Sequence, residues 1–344
     1  MSIYLRNRLC EPVRGYNRSI IYDLTRNDYF LIDNKLYEII SRHTVIHDFE
    51  IKGYKNFLLK NEIIFEIYDE KDVECFPKLY NDFESPYDIY SLCIDIDAKI
   101  DEGYKSFDGL LVNNLCVIIT DVSDDFLEKI HVLKKQIKYE GLFLYFKNEK
   151  NVNDLFLNKI ALIDDLLAIY IFHSKTNNIE NKVLEVFVIS YESSFEDYIK
   201  NINPEKFRVN IEFYIENLNF NSYYNKKIFI NKNGEISYSY NGLIIGNVKN
   251  IKTIKNEYSD CKKDDFIICA NCENRYMCLD SRVPVLEKDN WYYKEECSYN
   301  PFISKWNFEE GYLSLSEIGV NVYKNQLSID KEILDSKFKL VWDV

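Results

Sequence analysis

Glycine and proline are scarce, ten and six in 344 residues, and there are only two methionines and four histidines. With so few glycines the chain has neither a GxGxxG nor a Walker-type phosphate loop, which argues against an autonomous nucleotide-driven enzyme. A GxSxG elbow with a placed serine nucleophile is also missing. Positive charge is in deficit: 43 Lys and Arg stand against 56 Asp and Glu, a formal net charge of −13. Nucleic-acid binders draw most of their general affinity from phosphate neutralisation, so nothing beyond a local basic patch survives as a nucleic-acid reading. No apolar run approaches the roughly 18 to 20 residues of a membrane span, and the first ten residues lack an apolar stretch of signal-peptide length. The expectation is a cytoplasmic protein with no membrane and no nucleic acid among its partners. Internal repeats and low-complexity tracts are absent too.

What is present is a foldable composition, 47 % hydrophobic and 29 % charged, long enough for two ordinary domains or one large and one small. Residues 1–75 read as a small β-rich module. A strand is expected over 18–24, a turn over 25–28, a returning strand over 29–32, a short helix over 34–42 and a closing extended piece over 62–67. Residues 77–86 read as an irregular connection. Over 86–220 strands alternate with helices. Apolar strands are expected at 115–120, 142–146, 168–172, 186–189 and 209–215, and helices at 124–138, 152–167 and 194–200. Near-continuous apolar strands with intervening helices predict an α/β domain with a mainly parallel sheet of five or six strands, too few for a full eight-stranded barrel. An Asn233-Gly234 turn joins strands at 227–230 and 235–240 into the clearest hairpin of the chain, followed by a short helix near 248–256. The residues from 311 to 344 are expected to pack on the core as a tail.

Nine cysteines are present. Cys10, Cys75, Cys93 and Cys116 are scattered, while Cys261, Cys269, Cys272, Cys278 and Cys297 fall within 37 positions. In a cytosolic chain such clustering reads as a metal site before it reads as disulfides. Cys269-x2-Cys272 places two thiolates on one metal through a tight turn; Cys278 and Cys297 have to be brought in by the fold. Four thiolates suit tetrahedral zinc or one [4Fe-4S] cluster equally well. With no histidine beyond His173, a histidine-containing zinc finger is excluded. Cys261 reads as a buried cysteine or a reserve thiol.

The segment 265–282 (DFIICANCENRYMCLDSR), followed by Cys297-Ser298-Tyr299-Asn300-Pro301, resembles the SPASM domain, the auxiliary-cluster module at the C-terminus of many radical SAM peptide-modifying enzymes. With Cys10-Glu11-Pro12-Val13-Arg14-Gly15-Tyr16 at the start, the hairpin at Asn233-Gly234 and Gly246-Asn247-Val248 after it, the chain more narrowly resembles the SPASM-domain peptide maturase of grasp-with-SPASM systems. The resemblance implies a degenerate or partial radical SAM-like (β/α) barrel, a small N-terminal β-rich module and a SPASM-like metal-binding domain over 221–310. It also implies one [4Fe-4S] cluster on Cys269, Cys272, Cys278 and Cys297, with zinc as the alternative. A full module has a further cysteine four positions after the third of these; here that position is Arg282, and 237–240 likewise lacks a cysteine. One cluster is retained and the other lost. No CxxxCxxC loop exists, so the usual radical SAM cluster cannot be built.

Three readings follow. The first is an accessory or maturation protein of a ribosomally synthesised peptide pathway, binding a precursor peptide and acting with an ATP-grasp ligase, its cluster mainly a structural staple. The second is an electron-transfer or peptide-modifying enzyme that works without S-adenosylmethionine. The third is a zinc-stabilised interaction protein. The N-terminal module could present a strand edge to a peptide, and Arg6, Arg8, Arg14, Arg18 and Arg26 make it locally positive, either for an acidic peptide or as a solvated face. Catalytic residues are not assigned. His43 and His47, four apart on an expected helix, could share a metal, although surface histidines are the plainer reading. His131 is a flank residue of the helix over 124–138. His173 and Asp121 sit where strands of α/β folds end and ligands collect. Asp95 and Asp97 would face one side of a strand.

Overall fold

A computed structural model describes the chain except residues 1, 43, 100–105, 151, 176–178, 201, 203, 255, 256, 343 and 344. The chain folds into two units. One is discontinuous, built from Met1–Phe83, Ile202–Ser222 and Asp260–Val344; the other comprises Glu84–Asn201 and Tyr223–Ser259.

The first unit is organised on the strand Ser19–Asp23, every residue of which is buried. It is the middle strand of an antiparallel sheet between Cys10–Arg14 and Asp28–Ile32. Successive side chains of a strand point to opposite faces. Ile21 therefore joins Cys10, Leu36, Ile40 and Leu58 in one core, while Ile20 and Tyr22 join Val13, Tyr214, Tyr276 and Met277 in another. The helix Asn34–Ile40 starts where the Asp33 carboxylate accepts the Leu36 N–H, and Leu36 and Ile40, one turn apart, are its buried side. The strand over 18–24, its return and this helix stand as read from the sequence. The strands Ile3–Arg6 and Cys10–Arg14 and the helix Lys55–Lys60 are additions. Residues 209–215, expected as a strand, belong instead to the helix Ile211–Asn219. The alternation of Val209, Ile211, Phe213 and Ile215 imitates a strand, but Asn210 caps the Phe213 N–H and Phe213, Tyr214 and Asn217 bury the helical face. In the C-terminal stretch, Ile318, Val320 and Leu334 pack with Phe302 and Ile303.

The second unit is a mixed α/β fold around a nine-stranded sheet. Its order is Ile179–Val183, Val186–Ser190, Leu166–Ile171, Tyr139–Phe146, Val112–Ile119, Ile89–Asp95, Lys227–Ile230, Glu235–Ser237, Ile244–Asn247. The six strands from Val186–Ser190 to Lys227–Ile230 run parallel, as a β/α-barrel-type core requires. Lys227–Ile230, the last of the six along the chain, lies beside Ile89–Asp95, the first along the chain, and antiparallel strands flank both sides. The hairpin at Asn233-Gly234, which the resemblance places in a metal-binding domain over 221–310, thus extends this sheet. The helix Phe126–Gln136 turns Phe126, Ile130 and Leu133 inward, as its periodicity predicts. The expected helix over 152–167 is shorter, Asp154–Ile160, because Asp165 takes a left-handed conformation and Leu166 already begins the next strand. One face of the sheet, including Leu92, Ile94, Leu115, Val117, Leu142 and Leu144, is fully buried. Among the described residues no helix is long and apolar enough to cross a membrane.

Gly234 closes the hairpin at φ +75°, and a Cβ there would lie 2.6 Å from the Lys99 carbonyl oxygen. Gly234→Ala is expected to destabilise the fold by about 2 kcal/mol, left-handed backbone and clash together, read from the midpoint of urea unfolding.

Candidate metal centre

The four cysteines come from three local structures of the first unit. Cys269 lies on the short helix Ile267–Ala270; Cys272 follows two residues past its end, its N–H donating to the Cys269 carbonyl at 2.9 Å. Cys278 closes the turn-rich run that follows. Cys297 leads into the paired strands Tyr299–Asn300 and Lys305–Trp306, after the hairpin Pro284–Glu287 and Asn290–Tyr293. All four line one cavity of about 30 Å³, walled on its apolar side by Ile202, Phe207, Tyr299 and Trp306. The sequence spacing is thereby realised as a shared space. No disulfide joins these cysteines. Among the described residues no three His, Cys, Asp or Glu side chains are drawn together tightly enough to hold a metal ion as they stand. Cys261 is fully buried with Cys269 and Phe266, accepts a hydrogen bond from Asn221 at 3.6 Å, and is not part of the cavity wall.

Burial pushes the thiols of Cys272 and Cys278 well above their ordinary value and Cys269 up to about 11, despite Arg282 and Lys263 beside the last. Two sulfurs receive N–H groups: Tyr299 N–H donates to Cys297 Sγ at 3.4 Å, and Arg282 Nη2 lies 3.8 Å from Cys269 Sγ. Behind them is a buried charge cluster. Arg282 Nη2 is 2.7 Å and Lys263 Nζ 3.2 Å from Asp280 Oδ2. Burial alone would raise the Asp280 carboxyl, but the two cations outweigh it and hold it well below the usual carboxylate range.

The cysteine segment is clamped to the N-terminal strands by Glu273, between the first and last pairs of thiols. Its carboxylate, wholly buried, accepts from Arg18 Nε at 2.7 Å and from the Tyr299 hydroxyl, and its carbonyl accepts from the Tyr22 hydroxyl at 2.6 Å. Tyr16 N–H donates to the Asn271 carbonyl at 2.8 Å and Arg275 to the Arg14 carbonyl at 2.6 Å. Neither Glu273 nor Lys263 carries a motif that flags it in the sequence; both follow only from the fold.

The other candidates disperse. Arg6 pairs with Glu11, Arg14 with Glu38, Arg18 with Glu273, and Arg26 with Asp23 and Glu62, so four of the five N-terminal arginines are engaged within the unit. His43 lies outside the described residues; His47 is on the strand Ile46–His47, not on a helix, its ring stacked on Phe49. His131 is exposed on its helix, and His173 and Asp121 are exposed beyond their strands. Asp95 ends its strand, whereas Asp97 lies past it and pairs with Lys129, so the two do not form a same-face strand pair. Cys93 and Cys116, far apart in sequence, are register partners on adjacent strands of the sheet, their side chains in contact. A second polar group that sequence reading missed joins Lys147 Nζ to Glu196 at 2.5 Å and to the Tyr240 hydroxyl at 2.7 Å.

No family model, curated protein or solved structure matches this chain.

Removing the Glu273 charge leaves Arg18 without its anion in a largely dry site. Glu273→Gln is expected to cost about 3 kcal/mol in chemical denaturation, whereas Glu38→Gln, whose partner Arg14 is exposed, is expected to cost less than about 1 kcal/mol.

Proposed function

We propose that this chain is an accessory protein of a ribosomally synthesised peptide-modification pathway, and that Cys269, Cys272, Cys278 and Cys297 hold one [4Fe-4S] cluster. The observation that carries the reading is the convergence of these four thiols, and no others, on the wall of a single cavity. The residues there fit the group. All four donors are soft thiols suited to iron–sulfur ligation. Two sulfurs lie near N–H groups, and the buried cations Lys263 and Arg282 offset the negative charge that thiolates would bring. When bound, such a cluster supplies cross-links among segments that otherwise share little regular structure, and a site for one electron. The chain's own part is to hold those segments in register: Glu273, between Cys272 and Cys278, is bound to Tyr22 and Arg18, so the strands Cys10–Arg14 and Ser19–Asp23 position the loop.

Recognition of a precursor peptide is assigned to the strand Asp28–Ile32, acting alongside an ATP-grasp ligase. That strand pairs on one side with Ser19–Asp23, has no second partner strand among the described residues, and leaves Tyr29 and Leu31 38 % and 47 % exposed. An edge of this kind accepts an extended peptide through backbone hydrogen bonds, with alternate side chains giving selectivity.

The metal is tested by anaerobic purification with absorption spectra and iron, sulfide and zinc quantification. About four irons and four sulfides per chain, lost in a Cys269→Ala, Cys272→Ala double variant, are expected; one zinc without sulfide would replace the cluster by a structural zinc knot. The peptide role is tested by titrating the co-encoded precursor peptide onto the purified chain. Tyr29→Glu and Leu31→Glu together are expected to weaken binding at least tenfold with the metal content unchanged, and undiminished binding would remove the edge-strand assignment.

A further inference from the structure

Three buried charges line the thiol cavity. The side chains of Lys263 and Asp280 are each 1 % exposed and that of Arg282 10 %, and all three line the cavity. Lys263 and Arg282 both face the Asp280 carboxylate, so the three side chains together carry one net positive charge. Among the described residues the buried Lys263 ammonium is held to Asp280 as an ion pair and makes no hydrogen bond. Arg282 is held rigidly, by two contacts to Asp280 at 2.7 and 3.0 Å, one to the Glu295 carbonyl at 3.1 Å, and its face 4.1 Å over the Tyr293 ring. Burying an ion costs several kcal/mol unless an opposite charge accompanies it. A buried ammonium without a hydrogen bond, in a net-positive trio lining a cavity of four thiols, therefore marks the cavity as built for an anionic occupant.

We propose that Lys263, Asp280 and Arg282 are positioning residues that form a charge-compensating layer for an anionic thiolate centre, and that their net positive charge sets its redox behaviour. The redox part rests on the reading that the four cysteines hold a [4Fe-4S] cluster. With four thiolates such a centre is doubly anionic when oxidised. It becomes triply anionic on accepting one electron from a one-electron donor, with no bond made or broken and no proton required. A nearby fixed cation favours the more negative state, so the layer raises the potential.

The sign of the charge change separates this role from packing. Dithionite titration of the anaerobically purified chain, followed by absorption and electron paramagnetic resonance, gives the midpoint potential. Arg282→Gln and Lys263→Met, each losing one positive charge, are expected to lower it by about 59 mV or more, a tenfold change in the ratio of reduced to oxidised centre. Asp280→Asn, gaining one, is expected to raise it comparably, and Arg282→Lys to leave it in place. Shifts that share one direction, or none, overturn the proposal even though the cluster is present. Should Arg282→Gln fail to fold, Arg282→Lys set against Asp280→Asn carries the comparison. If the wild-type chain holds zinc and no sulfide, the cluster reading falls by itself. The layer is then judged by zinc affinity, expected to fall at least tenfold in Lys263→Met and to rise in Asp280→Asn. A wild-type chain that binds neither iron–sulfur nor zinc overturns both.

Discussion

The buried carboxylate of Glu273 is the contact on which the first unit depends. It sits between Cys272 and Cys278 in sequence; its partners are Arg18, just before the strand Ser19–Asp23, and Tyr299, in the run after Cys297, while Tyr22 of that strand donates to the Glu273 backbone carbonyl. A wholly buried carboxylate is tolerable only with a cation and hydrogen bonds in place, so the loop that carries the cysteines cannot take this path unless the N-terminal strands are already against it. The close approach has a further requirement. A Cβ on Gly15 would come within 2.8 Å of Glu273 Oε2 and 2.9 Å of its backbone nitrogen, so only glycine lets the turn between the first two strands of the sheet reach the cysteine loop. The N-terminal strands and the cysteine loop are thus one piece of structure.

Electrostatics and packing divide the work around the thiols. Ile202, Phe207, Tyr299 and Trp306 exclude water from one side, which raises the cost of any charge there. Lys263, Asp280 and Arg282 line the same cavity and bring charge into that setting. An apolar wall alone would suit neutral thiols and nothing more. Burial raises the Cys269 thiol and the neighbouring cations work against that rise, lowering the cost of deprotonated sulfur, the form that ligates metal.

What could be read from the sequence follows from how local each signal is. The Asn233-Gly234 turn, the helix from Phe126 and the pair of strands around residue 25 are written in neighbouring residues, and each appears where expected. The cysteine spacing was legible for the same reason, since Cys269 and Cys272 are joined by one short helix end. Alternation misled at Ile211–Asn219, where a cap at Asn210 and tertiary burial decided for helix against an equally apolar strand pattern. Long-range pairings left no trace at all. Nothing near Lys263 marks it as an interior cation, nothing near Cys93 indicates Cys116, and the discontinuous first unit is invisible to a reading that assigns consecutive residues to consecutive domains.

The strand Ser19–Asp23 gives that discontinuity its functional meaning. One of its neighbours, Asp28–Ile32, is the open edge; on the face turned the other way from Ile21, the Tyr22 hydroxyl fixes the backbone of the cysteine loop at Glu273. All five residues of the strand are buried, with Ile21 in one core and Ile20 and Tyr22 in another, so it cannot shift at one side without disturbing the other. Interiors packed to this extent transmit displacement instead of absorbing it. An occupant that orders the cysteine loop therefore also fixes Ser19–Asp23, the strand paired with Asp28–Ile32; on the proposed function, a staple at the thiols would be a way of holding the peptide edge in shape.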